Sequence, residues 1–146
     1  METKNIIFEL RTNRGLSQDE LAERICVTRQ AVSRWENGET VPNTETLKLL
    51  SKLFDVSINT LLGSPRKLIC QCCGMPLEDS VISKEPDGDF NEDYCKWCYT
   101  EGQFAYKSKE ALLDYLVANM PNPDNLQEGE RRAQFDSYLS RLKRWK

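Results

Sequence analysis

Histidine is absent from all 146 residues. That removes Ser-His-Asp and Cys-His catalysis, together with any imidazole metal ligand. Long apolar runs are missing as well, and no stretch approaches the roughly 18 residues that a membrane span needs. The opening METKNIIFEL carries charges in its first turn and lacks the apolar segment of a secretory signal, so a cytoplasmic protein with no membrane attachment is expected. The phosphate-cradling GxGxxG and GxxxxGK[ST] patterns and the GxSxG nucleophile turn do not occur. Without them, catalytic residues and a cofactor loop are not expected, and neither is an enzyme.

What is present is a soluble, globular composition, 39% hydrophobic and 29% charged, with room for one ordinary domain or two small ones. The six cysteines are the unusual feature, and in a reducing cytosol they suggest metal binding more than disulfides. Net charge is −3, which argues against nucleic acid until its distribution is considered. Arg24, Arg29 and Arg34 lie in a stretch with no acid. Residues 78–93 are strongly acidic, with Lys84 the lone base, and residues 131–146 are basic, with Asp136 the lone acid. Three regions of different sign suggest separate roles.

The first sixty residues repeat one helix-start signal. Leu16-Ser17-Gln18-Asp19-Glu20-Leu21 is a capping box with a hydrophobic staple, and Val27-Thr28…Val32, Pro42-Asn43…Leu47 and Val56-Ser57…Leu61 are of the same kind. Gly15 and Gly38 stand where left-handed helix ends are expected. The pattern predicts five short helices at about 4–14, 18–25, 29–37, 44–54 and 58–62. Their core is expected from Ile6, Leu10, Leu21, Ala22, Ile25, Val32, Trp35, Leu47, Leu50, Phe54, Ile58 and Leu61. Only Cys26-Val27-Thr28 joins the second and third helices, which forces a sharp angle and projects the third outward. Its exposed face would then be Arg29, Gln30, Ser33 and Arg34, with Ala31, Val32 and Trp35 turned in. Arg and Gln are the side chains that pair bidentately with guanine and adenine edges in the major groove.

The run LSQDELAERICVTRQAVSRWENGETVPNTETLKLLSKLFDVSINTLLG resembles the Cro and phage-repressor type of helix-turn-helix, the xenobiotic-response-element-like regulators. The resemblance implies a lambda-repressor-like five-helix domain that binds double-stranded DNA. It implies that Gln18 bonds a phosphate, that Thr28, Arg29, Gln30, Ser33 and Arg34 supply base and phosphate contacts, and that Asn37 holds the backbone beyond the recognition helix. It further implies a partly buried ion pair between Arg11 and Glu36. Cys26 departs from the Gly or Asn usual in the turn, where the backbone enters the left-handed region. We expect it to be a small buried hydrophobe, not a redox sensor.

Beyond Gly63-Ser64-Pro65 the composition changes. Cys70-Gln71-Cys72-Cys73-Gly74 is followed, after 21 residues, by Cys95-Lys96-Trp97-Cys98. Two C-x₂-C turns at this separation form a zinc pattern, each presenting two thiolates to one tetrahedral ion. Cys70, Cys73, Cys95 and Cys98 are the expected ligands, with Cys70 and Cys72 as the alternative first pair. Four sulfurs leave no open position, so one structural Zn²⁺ per chain is expected. Pro86-Asp87-Gly88, flanked by Val81-Ile82-Ser83 and Asp89-Phe90, predicts a hairpin between the knuckles, its acids forming a solvated face.

CQCCGMPL…EDYCKWCYTEGQF is similar to a zinc-ribbon domain found in bacterial proteins, and the resemblance extends to Leu142-Lys143-Arg144-Trp145. Ser108 can cap a helix at 109–119, ended by Pro121, with Ala111, Leu112, Tyr115 and Leu116 on one face. A second helix at about 126–144 would carry Phe135, Tyr138, Leu139 and Leu142 as its stripe. These helices are expected to cover the ribbon, leaving a remainder for a homodimer interface. Arg141, Lys143, Arg144 and Lys146 could reach DNA phosphates.

The sequence therefore predicts a mainly α chain: a helix-turn-helix domain at 1–63, a linker at 64–69, and a four-cysteine zinc ribbon at about 70–106 with a helical tail at about 108–145. The function expected is sequence-specific regulation of transcription from a palindromic operator bound by a dimer. The alternatives are a zinc- or thiol-responsive sensor and an adaptor that recruits a protein partner through the ribbon.

Overall fold

The computed structural model describes residues 2–146. It divides into two compact units, Met1–Lys67 with Gly88–Phe90, and Leu68–Asp87 with Asn91–Lys146.

In the first unit the helices are α1 (Thr3–Asn13), α2 (Gln18–Arg24), α3 (Arg29–Asn37), α4 (Thr44–Phe54) and α5 (Ile58–Leu61). Each predicted cap is in place: Ser17, Thr28, Asn43 and Ser57 accept from the backbone N–H three residues on, and Ser17 with Glu20 closes a full capping box. The Ser17 amide holds the Glu20 carboxyl below its ordinary value. The other ends share one device. The amides of Leu16, Val27, Glu39 and Val56 reach back to the carbonyls of Arg11, Ala22, Arg34 and Ser51, across residues of positive φ at Gly15, Cys26, Gly38 and Asp55. This bond satisfies a helix-end carbonyl and turns the chain sharply. Asp55 in that role was not foreseen.

The core gathers Leu16, Leu21, Ala22, Ile25, Val32, Trp35, Leu47, Leu50, Phe54 and Leu61 around Ile7. Here the sequence expectation needs correction. Ile7 is fully buried, whereas Ile6, Leu10 and Ile58 are only partly so. Ile7 and Arg11, one helical turn apart, are the pair that faces inward, and Ile6 and Leu10 flank it. Cys26 is exposed, not buried; its left-handed backbone (φ 58°) closes the α2 end and points the side chain away from the core.

β1 (Ile82–Lys84) pairs with β2 (Phe90–Cys95), which belongs to the second unit from Asn91 on, and β3 (Tyr99–Thr100) pairs antiparallel with β4 (Gln103–Phe104). The first hairpin is the predicted one. The second was not predicted, and it turns through Glu101 and Gly102, both at positive φ. Tyr94, Tyr99 and Phe104 pack together, with Tyr94 edge-on to Phe104 at 4.9 Å between centroids. The acids between the knuckles are not simply a solvated face: Glu85 accepts from the Tyr99 hydroxyl, and Asp93 pairs with Lys143 at 2.8 Å.

Helices α6 (Lys109–Asn119) and α7 (Glu128–Leu139) complete this unit. Ser108 caps α6, and at its other end Arg131 donates to the carbonyls of Val117, Met120 and Pro121. The buried face of α6 is Leu112, Leu113 and Leu116; Ala111 and Tyr115 are exposed, so the face is rotated from the expected one. α7 is shorter than predicted. The amides of Lys143 and Arg144 leave the helix to bond the side chain and main chain of Gln71, at 3.0 and 3.1 Å. Tight turns over 140–145 then bring Leu142 and Trp145 onto the cysteines.

Candidate DNA-contacting face and metal centre

α3 sorts its side chains by angle. Val32 and Trp35 are buried and Ala31 is half-buried, while Thr28, Arg29, Gln30, Arg34 and Asn37 are exposed and Ser33 is half-exposed. The Thr28 hydroxyl accepts from the Ala31 amide at 3.1 Å and fixes the helix start. Asn37 donates to the Ser33 hydroxyl at a long 3.5 Å. Arg29 lies 3.8 Å from Asp19, but both side chains are well exposed and such a pair holds weakly. The expected contact residues other than Gln18 therefore lie on α3 or at its ends.

Gln18 is different. It opens α2, is half-buried, and donates to Glu36 Oε1 at 3.2 Å. Glu36 is the centre of a small network. Arg11 Nε and Nη2 donate to its two oxygens at 2.6 and 2.8 Å, and Arg11 Nη1 donates to the Leu16 carbonyl at 2.8 Å. The bond to Glu36 raises the Arg11 guanidinium above its ordinary value, outweighing burial. The pair was expected from the resemblance. The engagement of Gln18 and of the Leu16 carbonyl was not, since neither has a spacing signal.

The metal centre is built from two knuckles. In the first, Cys70 N–H donates to the Met75 carbonyl and Gly74 N–H to the Cys70 carbonyl, both at 2.8 Å, and a bridge between Ile69 and Pro76 closes the loop. In the second, Cys98 N–H donates to the Cys95 carbonyl at 3.2 Å. The Gln71 amide bonds the Asp93 carbonyl and ties the first knuckle to β2. The sulfurs of Cys70, Cys73, Cys95 and Cys98 all lie within 4.8 Å of one another, with Cys73 and Cys95 4.0 Å apart. Zinc bound at about 2.3 Å to each of four tetrahedral thiolates would space them about 3.8 Å apart. The backbone amides of Cys73 and Cys95 point at Cys70 Sγ, at 3.5 and 3.3 Å, as a thiolate ligand requires. The donor set thus fits a zinc ion.

Cys72 is fully buried beside this set but outside it. Its carbonyl accepts from the Trp145 indole at 2.8 Å. Lys143 pairs with Asp93, while Arg144 bonds the Tyr106 carbonyl and lies 3.7 Å over the Phe104 ring. These two bases are engaged within the ribbon itself.

Gly74 has φ 81°, and a Cβ there would stand 2.2 Å from the Tyr138 ring. Gly74→Ala is expected to destabilise this unit by at least about 1 kcal/mol through the left-handed backbone alone, with Tyr138 displaced. Chemical denaturation followed by tyrosine and tryptophan fluorescence would measure it.

Fold and sites together define a helix-turn-helix unit joined in one chain to a four-cysteine knuckle unit. Residues 7–61 match the family described as "Helix-turn-helix", and residues 69–146, more than half the chain, match "Putative zinc ribbon domain". The chain is 47% identical over 63 residues to the HTH-type transcriptional activator BcrR of Enterococcus faecalis, covering 43% of this chain and 31% of that protein. It is 38% identical over 55 residues to the uncharacterized HTH-type transcriptional regulator YgzD of Bacillus subtilis (strain 168), covering 38% of this chain and 83% of that one. A crystal structure of the P22 c2 repressor with synthetic operator 9T in the presence of Tl⁺ aligns at 33% identity and TM-score 0.42, over 44% of this chain and 97% of that one. The match spans about a third of the length of the Enterococcus relative. The chain belongs to the zinc-ribbon family and, through its N-terminal unit, to the helix-turn-helix transcriptional regulators. Among the described residues no helix is long and apolar enough to cross a membrane.

Proposed function

We propose that this protein is a cytoplasmic, sequence-specific transcriptional regulator that binds a palindromic operator as a homodimer, with α3 in the major groove. One structural zinc ion per chain, held by Cys70, Cys73, Cys95 and Cys98, folds the second unit. The observation that carries the DNA reading is the exposed face of α3: Arg29, Gln30 and Arg34 point outward from a helix whose other face is locked into the core by Val32 and Trp35. A rigid helix presenting Arg and Gln can pair bidentately with base edges. Thr28, Ser33 and Asn37, short and polar, suit the phosphates and base edges that flank such a helix. Regulators of this build place two recognition helices about one DNA turn apart, which is why a dimer and a palindrome go together. A zinc ion held by these four sulfurs would cross-link the two knuckles and supply no reaction chemistry, since four sulfurs leave no site for water. A thiol-sensing role has less support, because Cys72 is sealed beneath the C-terminal turn.

Selection of bound duplexes from a random pool, with zinc content and complex mass measured on the same sample, tests this. An enriched palindrome, two chains per duplex and one zinc per chain are expected. Zinc without any enriched motif would instead favour the ribbon as an adaptor. On the selected operator, Arg29→Ala, Gln30→Ala and Arg34→Ala should each cost about 1–3 kcal/mol of binding. Gln18→Ala should weaken all sequences alike.

A further inference from the structure

Every large apolar side chain that the cysteine-bearing unit leaves exposed, namely Trp97, Tyr115, Met120 and Tyr138, borders a single open groove of about 610 Å³. Four scattered surface hydrophobes would need no explanation; four converging on one cavity do. The volume lies in the range of small-molecule sites, about 300–1,000 Å³. Leu112 and Leu116 line it, as do the ligand cysteines Cys73, Cys95 and Cys98. Tyr106 adds a fourth ring, its centroid 5.9 Å from that of Tyr115. The Tyr138 wall is fixed, because its hydroxyl donates to the Gly74 carbonyl at 3.2 Å and Gly74 has no Cβ to push the ring away.

The groove wall itself is uncharged, and the Lys96 ammonium stands over the Trp97 ring at its rim. No Lys, Arg, Asp or Glu lines it. Aromatic faces are the negative ends of ring quadrupoles. Four thiolates around a bound dication would carry a net charge of −2, and Cys73, Cys95 and Cys98 line the groove. The chain's own Lys96 already places its ammonium 5.0 Å from the Trp97 centroid, so a ring of this set does take a cation. We propose that the groove binds an apolar organic cation, a quaternary ammonium or phosphonium bearing aromatic or alkyl groups. Such an ion is weakly hydrated, loses little on entering an apolar site, and meets ring faces and sulfur charge together. An anion would face the thiolates. A second copy of this chain would bring an equal negative centre against the first. The inference is independent of DNA binding by α3 and rests only on the loaded cysteine site.

Tetraphenylphosphonium and tetraphenylborate share size and shape and differ in sign, so they separate charge from hydrophobicity. Calorimetric titration of the zinc-loaded full chain at low salt should show saturable one-to-one binding of the phosphonium, at least about tenfold tighter than that of the borate. Trp97→Ala and Tyr115→Ala, each checked for unchanged zinc content, should weaken it by about fivefold or more. Equal or tighter binding of the borate, no binding of either ion, or unaltered affinity in both variants at full zinc content would overturn the proposal. So would self-association of the wild type that either substitution abolishes, which would make the groove a face between copies.

Discussion

Stripping the zinc is expected to unfold the cysteine-bearing unit and leave the helix-turn-helix unit folded. The second core consists of Cys70, Cys72, Cys95 and Cys98 with Leu112, Leu113, Leu116, Leu139 and Leu142, so nearly half of it is cysteine. Strands β3 and β4 are two residues each. A unit this small seldom stabilises itself by burial alone. Metal bound to four thiolates contributes about 10–16 kcal/mol of apparent free energy in small zinc domains, and where the apo site does not form, that is folding free energy. The first unit has its own core and its own caps and contains no expected ligand. Amide spectra recorded with a strong chelator should therefore lose dispersion for the ribbon and its helices while signals from α1–α5 persist.

The same experiment separates the cysteines. Cys70→Ser and Cys95→Ser should each reproduce the chelated spectrum. Cys72→Ser should keep one zinc per chain, at a cost of about 1–3 kcal/mol for a hydroxyl buried in place of a thiol. Metal loss in Cys72→Ser would move the ligand set to the Cys70 and Cys72 pair; persistence of every signal in chelator would show the metal to be dispensable. Acid acts in the same direction as chelator. The ligands bind as thiolates, so protons compete with zinc and the ribbon should unfold as pH falls.

Local chemistry made much of the fold legible. Ser17, Thr28, Asn43, Ser57 and Ser108 each announce a helix start because the cap is a contact between residues three apart. The cysteine cluster was legible for the same reason: Cys70 with Cys73, and Cys95 with Cys98, each lie within one turn of chain. What escaped depends on distant partners. α7 was predicted to run to about 144, yet it ends at Leu139, with two of the following amides bonded to Gln71, seventy-odd residues earlier. Periodicity carries no trace of that bond. Tyr115 was placed on one face of α6 with Ala111, Leu112 and Leu116. It lies instead at a groove rim, and Leu113, next to Leu112 in sequence, is buried. Lys143 and Arg144 looked like a free basic tail because Asp93 and the Tyr106 carbonyl are remote in sequence. On α3 the outward face was legible, but the occupation of Gln18 by Glu36 was not.

Breaking the Arg11–Glu36 pair on one side only should be the most damaging single change in the first unit. The two side chains are 11% and 6% exposed, so neither charge has water to fall back on. Arg11→Met would leave the Glu36 carboxylate buried with the Gln18 amide as its remaining side-chain donor among the bonds described, and would leave the Leu16 carbonyl without its guanidinium. An uncompensated buried charge of this kind costs about 3–5 kcal/mol. Arg11→Met with Glu36→Leu removes both charges and should recover most of that loss, since a well-packed apolar pair often matches a buried ion pair. Native-state hydrogen exchange of the Leu21 and Val32 amides in the full chain, zinc loaded, reads this unit without interference from the other. A double variant as unstable as the single one would mean that the pair holds the helices by geometry and not by charge balance. The double variant also tests how stability connects with function. Its Gln18 amide has lost the acceptor that orients it at the start of α2, so affinity should fall for all duplexes alike even where stability is restored. An unchanged affinity would release Gln18 from the phosphate role and place DNA binding on α3 and its ends.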